Sequence, residues 1–276
     1  MRVIGRKSSA GVRSKRYRGE GRMHAQQKID AGLSSTVSTM RSSTLTATIA
    51  VSMLAIGCFF SAADDLSAQE PDRISILSQA DIESWGQDAQ KGEWKERVFN
   101  GQTIYEAVNT PDGPALQATS RGTASVLYRE IRIDLEKTPY LHWDWQIEKS
   151  IAGFDERTKE GDDYSARIYV VRSHPILRWK TKAVNYVWAG SQAQGQTWPS
   201  AYTDASHNMA LQSGDTEAGQ WVSEWRDVRA DFQSLLGEDF RYIDGVAIMT
   251  DTDNTGGEAT AWYRNVFFSS EPGDTK

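Results

Sequence analysis

The chain has 276 residues, with 31 Lys and Arg against 37 Asp and Glu, a formal net charge of −6, and one cysteine. Ten of the bases but only two of the acids fall in residues 1–41, so from Asp64 onward 21 bases face 35 acids, a net charge of −14. A body that acidic is repelled by nucleic-acid phosphates and anionic lipid, which excludes both as partners. A single thiol excludes an internal disulfide and a thiolate metal cluster.

Residues 1–39 are basic and lack hydrophobic periodicity, and are expected to form a disordered leader with no packed core. Met40 followed by Arg41 would open a signal of ordinary proportions, so 1–39 read either as a genuine leader or as a mis-assigned start. Residues 40–63 read as a signal peptide. "LTATIAVSMLAIGCFFSAA", 45–63, carries no charge and ends in small residues before Asp64. The run is diluted by Thr and Ser and short against the roughly 20 apolar residues of a membrane span; a retained anchor is the rival reading. "AIGC", 55–58, loosely matches a lipoprotein box, but Phe59 and Phe60 argue against lipid on Cys58. The expected destination is the periplasm or the exterior, and cleavage after Ala63 removes the only thiol.

Residues 64–84 read as a linker and N-terminal segment, in which "SILSQADIESWG" opens a short helix or strand. Residues 85–270 are expected to form one domain, with 271–276 as a tail and a monomeric state. Period-two alternation predicts strands at 93–100, 103–108, 123–135 and 140–148, with a turn at "NTPDGP", 109–114. In "YLHWDWQIE" Leu141, Trp143, Trp145 and Ile147 share one face and His142, Asp144 and Gln146 the other. Further strands are predicted in 162–171, 182–190, 207–213 and 220–228, the last setting Trp221 and Ser223 against Val222 and Glu224. One helix is predicted over 227–238, and the last two strands are predicted at "YIDGVAIMTD", 242–251, and "ATAWYRNVFF", 259–268. Roughly ten strands without a βαβ rhythm predict an all-β sandwich or jelly roll with one or two short helices.

"TPYLHWDWQIEKSIAGFDERTKEGDDYSARIYVV", "KAVNYVW", "QWVSEWRDVRADF" and "MTDTDNTGGEATAWYRNVFF" resemble, in order, the blocks of a bacterial family known as domain of unknown function 3047. The resemblance covers about 85–269 and implies a secreted or periplasmic β-rich domain, with no activity to carry over. The "DNTGG…AWY" segment is similar in general style to jelly-roll carbohydrate-binding modules.

Several constellations bear chemistry. Asp251, Asp253 and Asn254 offer oxygens of the kind Ca²⁺ takes, Asp251 and Asp253 being the candidate metal ligands. Read as an EF-hand loop the segment fails, because the position needing a bidentate acid falls on Trp262. The plain alternative is a turn in which Gly256 and Gly257 take φ > 0. No other cofactor is expected. Asp163 lies in an acidic loop, 154–167, readable as a solvated surface or as half of a carboxylate pair. His142 and Asp144 line the polar side of their strand, and Arg167, Tyr169 and Asn185 are expected beside them. Trp198 and Tyr202, in an expected long loop at 195–208, suit stacking on a sugar ring, though Trp198 equally suits a core cap. The leading expectation is non-catalytic binding of a glycan or small polar ligand. Its rivals are a glycoside-active enzyme using Asp144, Asp163 or Asp251, and a structural envelope protein.

Overall fold

The structure is a computed structural model that describes residues 72–86, 93–174 and 181–274. The leader, the signal segment with Cys58, residues 64–71 of the expected linker and the last two residues lie outside them. Thirteen strands are described: β1 Arg73–Leu77, β2 Trp94–Asn100, β3 Ile104–Thr110, β4 Gly113–Arg121, β5 Ala124–Asp134, β6 Tyr140–Ile147, β7 Ala166–Arg172, β8 Lys182–Ala189, β9 Thr197–Ser200, β10 Thr203–Ser213, β11 Val222–Asp227, β12 Tyr242–Met249 and β13 Glu258–Ser269. Two helices, α1 Gln79–Glu83 and α2 Val228–Leu236, complete them.

The strands form two sheets. The first runs β11-β6-β13-β4-β3, with β1 paired to β13; the second runs β2-β5-β12-β7-β8-β10-β9. All pairs are antiparallel except β8 with β10. The expected all-β sandwich with short helices is what the chain forms. The segment expected as a loop at 195–208 is instead mostly strand: β9 pairs with β10. Its polar, glycine-bearing composition masked a short edge strand, in which Pro199 is tolerated because the far side has no ladder to feed.

The predicted helix closes as its residues dictate. The Asp227 carboxylate accepts from Ala230 N at 2.9 Å, and Gly237, at φ 67, ends it in the left-handed region.

Aromatic side chains join the layers. On β6, Trp143 and Trp145 point inward, 1% and 0% exposed. From the second sheet, Tyr186 stacks on Trp143 with centroids 5.3 Å apart, and Trp188 meets Trp145 at 5.8 Å. Leu141, Ile147, Ile168, Val170 and Val184 fill the same core. Hydroxyl groups also cross between the sheets: Tyr105 on β3 donates to Ser125 O on β5 at 2.8 Å. Tyr263 on β13 donates to Met249 O at 2.9 Å and accepts from Arg167 N at 3.2 Å.

Because Trp145 touches both its neighbour on β6 and Trp188 across the sandwich, Trp145→Ala should cost about 3–5 kcal/mol. Urea unfolding would read this as a lowered midpoint at unchanged slope, and an unshifted midpoint would contradict the seam.

Candidate functional site

Two polar clusters sit on opposite sides of the sandwich. The first joins the loop before β7 to the loop between β12 and β13. Its centre is Arg167, 2% exposed, whose guanidinium donates to both oxygens of Asp251, the Nε contact measuring 3.0 Å. Arg167 Nη2 also donates to Asp162 O at 3.3 Å, and Nη1 lies 3.8 Å from the Asp162 carboxylate. The Tyr164 and Tyr169 rings pack against the cation at 4.6 and 5.5 Å. Asp163 performs a different task. Its carboxylate accepts from Asn254 N at 3.1 Å, Thr255 N at 2.6 Å and Asn254 Nδ2 at 3.0 Å, which pins the 254–255 turn. Gly256 follows at φ 74, and its N–H returns to Thr252 O at 2.8 Å.

The remaining residues expected on this side join the same network. Tyr202 OH donates to Asn254 Oδ1 at 3.3 Å, and Asn185 Nδ2 donates to Asn208 Oδ1 at 2.7 Å. Asn208 in turn donates to Tyr164 OH at 3.4 Å. Trp198 packs on the Tyr164 ring with centroids 6.5 Å apart and planes inclined by 29°, and is 5% exposed, so it caps this cluster and leaves no open face for a sugar. Asp163, Tyr169, Asn185 and Asp251 are each 1–2% exposed. Asp163, Asp251 and Asp253 bring one oxygen each within 4.8 Å of one another. Arg167 already stands among them as a fixed positive charge. The network is buried and largely hydrogen-bonded, Asn185 Oδ1, Trp198 Nε1 and Thr255 Oγ1 being without a partner among the described residues, and it specifies one arrangement of loops.

The second cluster covers the outer face of the first sheet. Alternation along β6 sends His142, Asp144 and Gln146 there, opposite the tryptophans. The expectation that Arg167, Tyr169 and Asn185 lie beside them is overturned. β6 and β7 follow one another in sequence but belong to different sheets, whose outward faces point apart. Beside His142 and Asp144 stand residues of β11 and β13. Trp225 pairs with His142 and Ser223 with Asp144 on β11; Phe267, Arg264 and Trp262 oppose His142, Asp144 and Gln146 on β13. A bulge with Asn265 at φ 53 keeps this register.

Asp144 accepts from Ser223 Oγ at 2.7 Å, Asn265 Nδ2 at 2.7 Å and Arg264 Nε at 3.2 Å. Arg264 lies over the Trp221 ring at 3.9 Å. His142 stacks on Phe267 at 4.6 Å, with Arg73 over that ring at 3.4 Å, and its Nε2 lies 3.1 Å from Glu271 O. Burial lowers the His142 pKa, against the backbone contact. The ring is held between Phe267 and the Glu271 carbonyl. Trp221, Trp225 and Trp262 are all partly exposed here, and Trp225 lines a cavity of about 530 Å³ with His142, Asp144, Ser223 and Asn265. Sequence reasoning missed these three tryptophans and Arg264 as site residues. The alternation of Trp221, Ser223 and Trp225 was visible; the pairing of Ser223 and Trp225 with β6 was not.

A family model described as a protein of unknown function, DUF3047, matches residues 92–267. A search of curated protein sequences finds no match. Among solved structures, the chain is similar to a family 29 carbohydrate-binding module complexed with mannohexaose, at 11% identity over 73% of this chain and 94% of that one, TM-score 0.37. It is similar to the cellulose induced protein Cip1 at 11% identity, 73% and 100% coverage and TM-score 0.38. Another likeness is to the xyloglucanase domain of NopAA from Sinorhizobium fredii in complex with cellobiose, at 9% identity, 64% and 92% coverage and TM-score 0.37.

Burial of Asp162, opposed by Arg167 and reinforced by Asp163, pushes its carboxyl up to about 6 from 3.8. A carboxyl raised by folding favours the folded state below about pH 3.8, and that contribution is lost as pH rises through about 6. Asp162→Asn is therefore expected to stabilise the protein near neutral pH, by on the order of 2–3 kcal/mol, with no gain near pH 3.5. Thermal melts of both proteins across this range check it; an Asn variant that is weaker at neutral pH would show that the charge is needed.

Proposed function

The chain belongs to the DUF3047 family, and from that premise we propose that it is an exported, non-catalytic binding domain whose ligand is a glycan, held on the outer face of the first sheet. One observation carries this reading. The accessible polar face, and not the buried one, presents three partly exposed tryptophans among side chains able to hydrogen-bond hydroxyl groups. Indole faces pack on the apolar faces of sugar rings, and the amides, Ser223 and the Asp144–Arg264 pair supply polar partners around them. The Arg167 cluster cannot take this role without opening, because Asp163, Arg167, Tyr169, Asn185 and Asp251 are buried.

The same geometry weighs against glycoside chemistry by the acids considered for it. A glycosidase needs two carboxyl groups facing across a cleft. Asp144 lies on one side of the sandwich and is held by Ser223, Asn265 and Arg264, whereas Asp163 and Asp251 are buried on the other. Export rests on the basic flank, apolar run and small-residue end of 40–63. Among the described residues no helix is long and apolar enough to cross a membrane.

Quenching of tryptophan fluorescence by a panel of oligosaccharides tests binding. Trp221→Ala, Trp225→Ala and Trp262→Ala should each weaken it about tenfold or more, roughly 1.4 kcal/mol apiece, with no reducing sugar released by the wild type. Quenching left intact in all three variants would move the ligand elsewhere. Calcium gets a separate test. Arg167 holds both oxygens of Asp251, and N–H groups hold Asp163. We therefore expect chelator to leave the melting temperature unchanged; a drop restored by added Ca²⁺ would place a metal at Asp163, Asp251 and Asp253.

A further inference from the structure

We infer that the ligand of this face is an uncharged linear polysaccharide, gripped along β11 by an internal stretch of its chain; the inference rests on the glycan reading above and specifies its class. Trp221 immediately precedes β11, beneath Arg264 and beside Ser223, and Trp225 lies on β11; four residues of extended chain span about 13 Å. That span exceeds a disaccharide. It is also not blank: the cavity of about 530 Å³ beside Trp225 and a second of about 640 Å³ beside Trp221 share Ser223 as their common wall. Gln194, Gln212 and Thr216 line the second. Together they make a trough that follows β11 and passes an indole in each half.

The shape of the trough selects the part of the polymer that binds. Both cavities open to solvent. A third, of about 360 Å³, joins Gln194 to Glu224 and Trp225 around the edge of β11, which among the described strands pairs only with β6. A blind pocket would recognise a chain end by enclosing it. An open trough with an aromatic platform in each half lets a chain run through.

Charge selects the chemistry. Asp144, Glu217, Glu224 and Asp274 line the trough against two bases, Arg73 and Arg226, and Arg226 is engaged by Asp231. The Asp144 charge is met by Arg264. The surplus is negative, on a chain already negative from Asp64 onward. A polyuronate or a phosphorylated glycan is repelled, while a neutral chain meets the exposed Gln194, Ser223 and Asn265, whose N–H and O–H groups donate to Leu211 O and Asp144 and whose side-chain oxygens accept from hydroxyl groups.

Calorimetric titration of the whole wild-type chain with glucose, mannose and xylose oligomers of increasing length, and with oligogalacturonate, decides the matter. The expected result is at least a tenfold gain in affinity from disaccharide to hexasaccharide for one neutral series. Blocking the reducing end should leave that affinity unchanged, and oligogalacturonate should not bind. Trp221→Ala and Trp225→Ala, melting as the wild type does, should each reduce hexasaccharide affinity to that of the disaccharide. Equal affinity for all lengths, dependence on a chain end, or preference for oligogalacturonate overturns this inference while leaving glycan binding in place. Silence toward every sugar overturns both.

Discussion

The inward–outward alternation of β6 is the constraint on which the rest of the molecule depends. Trp143 and Trp145 on this strand meet Tyr186 and Trp188 across the sandwich, so β6 joins the two layers. A slip of one residue would turn both indoles out and bring His142, Asp144 and Gln146 into the core, where unpaired polar groups cost several kcal/mol. Packing therefore fixes the register, and the register places Asp144 opposite Ser223 on one side and Arg264 on the other. The candidate binding face is a consequence of how the core closes.

Polar side chains divide between the two sides by accessibility. Around Arg167 each named acid has a partner inside the protein: Asp251 has the guanidinium, Asp163 the N–H groups of 254 and 255, and Glu156 the N–H groups of 190, 191 and 192. These contacts tie loops at the ends of the second sheet. A Cβ on Gly190 would run into the Ile151 carbonyl, so the loop that carries Glu156 is pressed tightly onto this turn. The burial that makes such a lock effective also removes it from contact with a ligand. On the first sheet, Asp144 and Arg264 are satisfied as a pair yet keep an edge toward solvent, and the tryptophans beside them are only partly covered.

Acidic and aromatic residues at a sequence loop thus had two meanings that composition could not separate. Asp251, Asp253 and Asn254 resemble metal ligands when read along the chain. In three dimensions Asp163, Asp251 and Asp253 converge, and Arg167, 84 residues from Asp251, donates to the Asp251 carboxylate. Trp198 and Tyr202 resemble a stacking platform, yet Trp198 is buried against Tyr164 and Tyr202 is hydrogen-bonded to Asn254. Conversely, Trp221, Trp225 and Trp262 resemble ordinary core residues in alternating strands and lie on the open face.

What the sequence determined by itself is local. Alternation at 140–147 identified the inward residues, Asp227 and Gly237 bounded the helix, and "NTPDGP" located a hairpin whose Gly113 takes φ 107. Each depends on neighbours within a few residues, where backbone geometry and capping act. Only the tertiary structure decided which strands share a sheet. Strand order brings together residues far apart in the chain, and nothing in the period-two pattern says which layer a strand will join. That choice sent Arg167 and Asp144 to opposite sides of the molecule and made a buried lock of one cluster and an accessible face of the other.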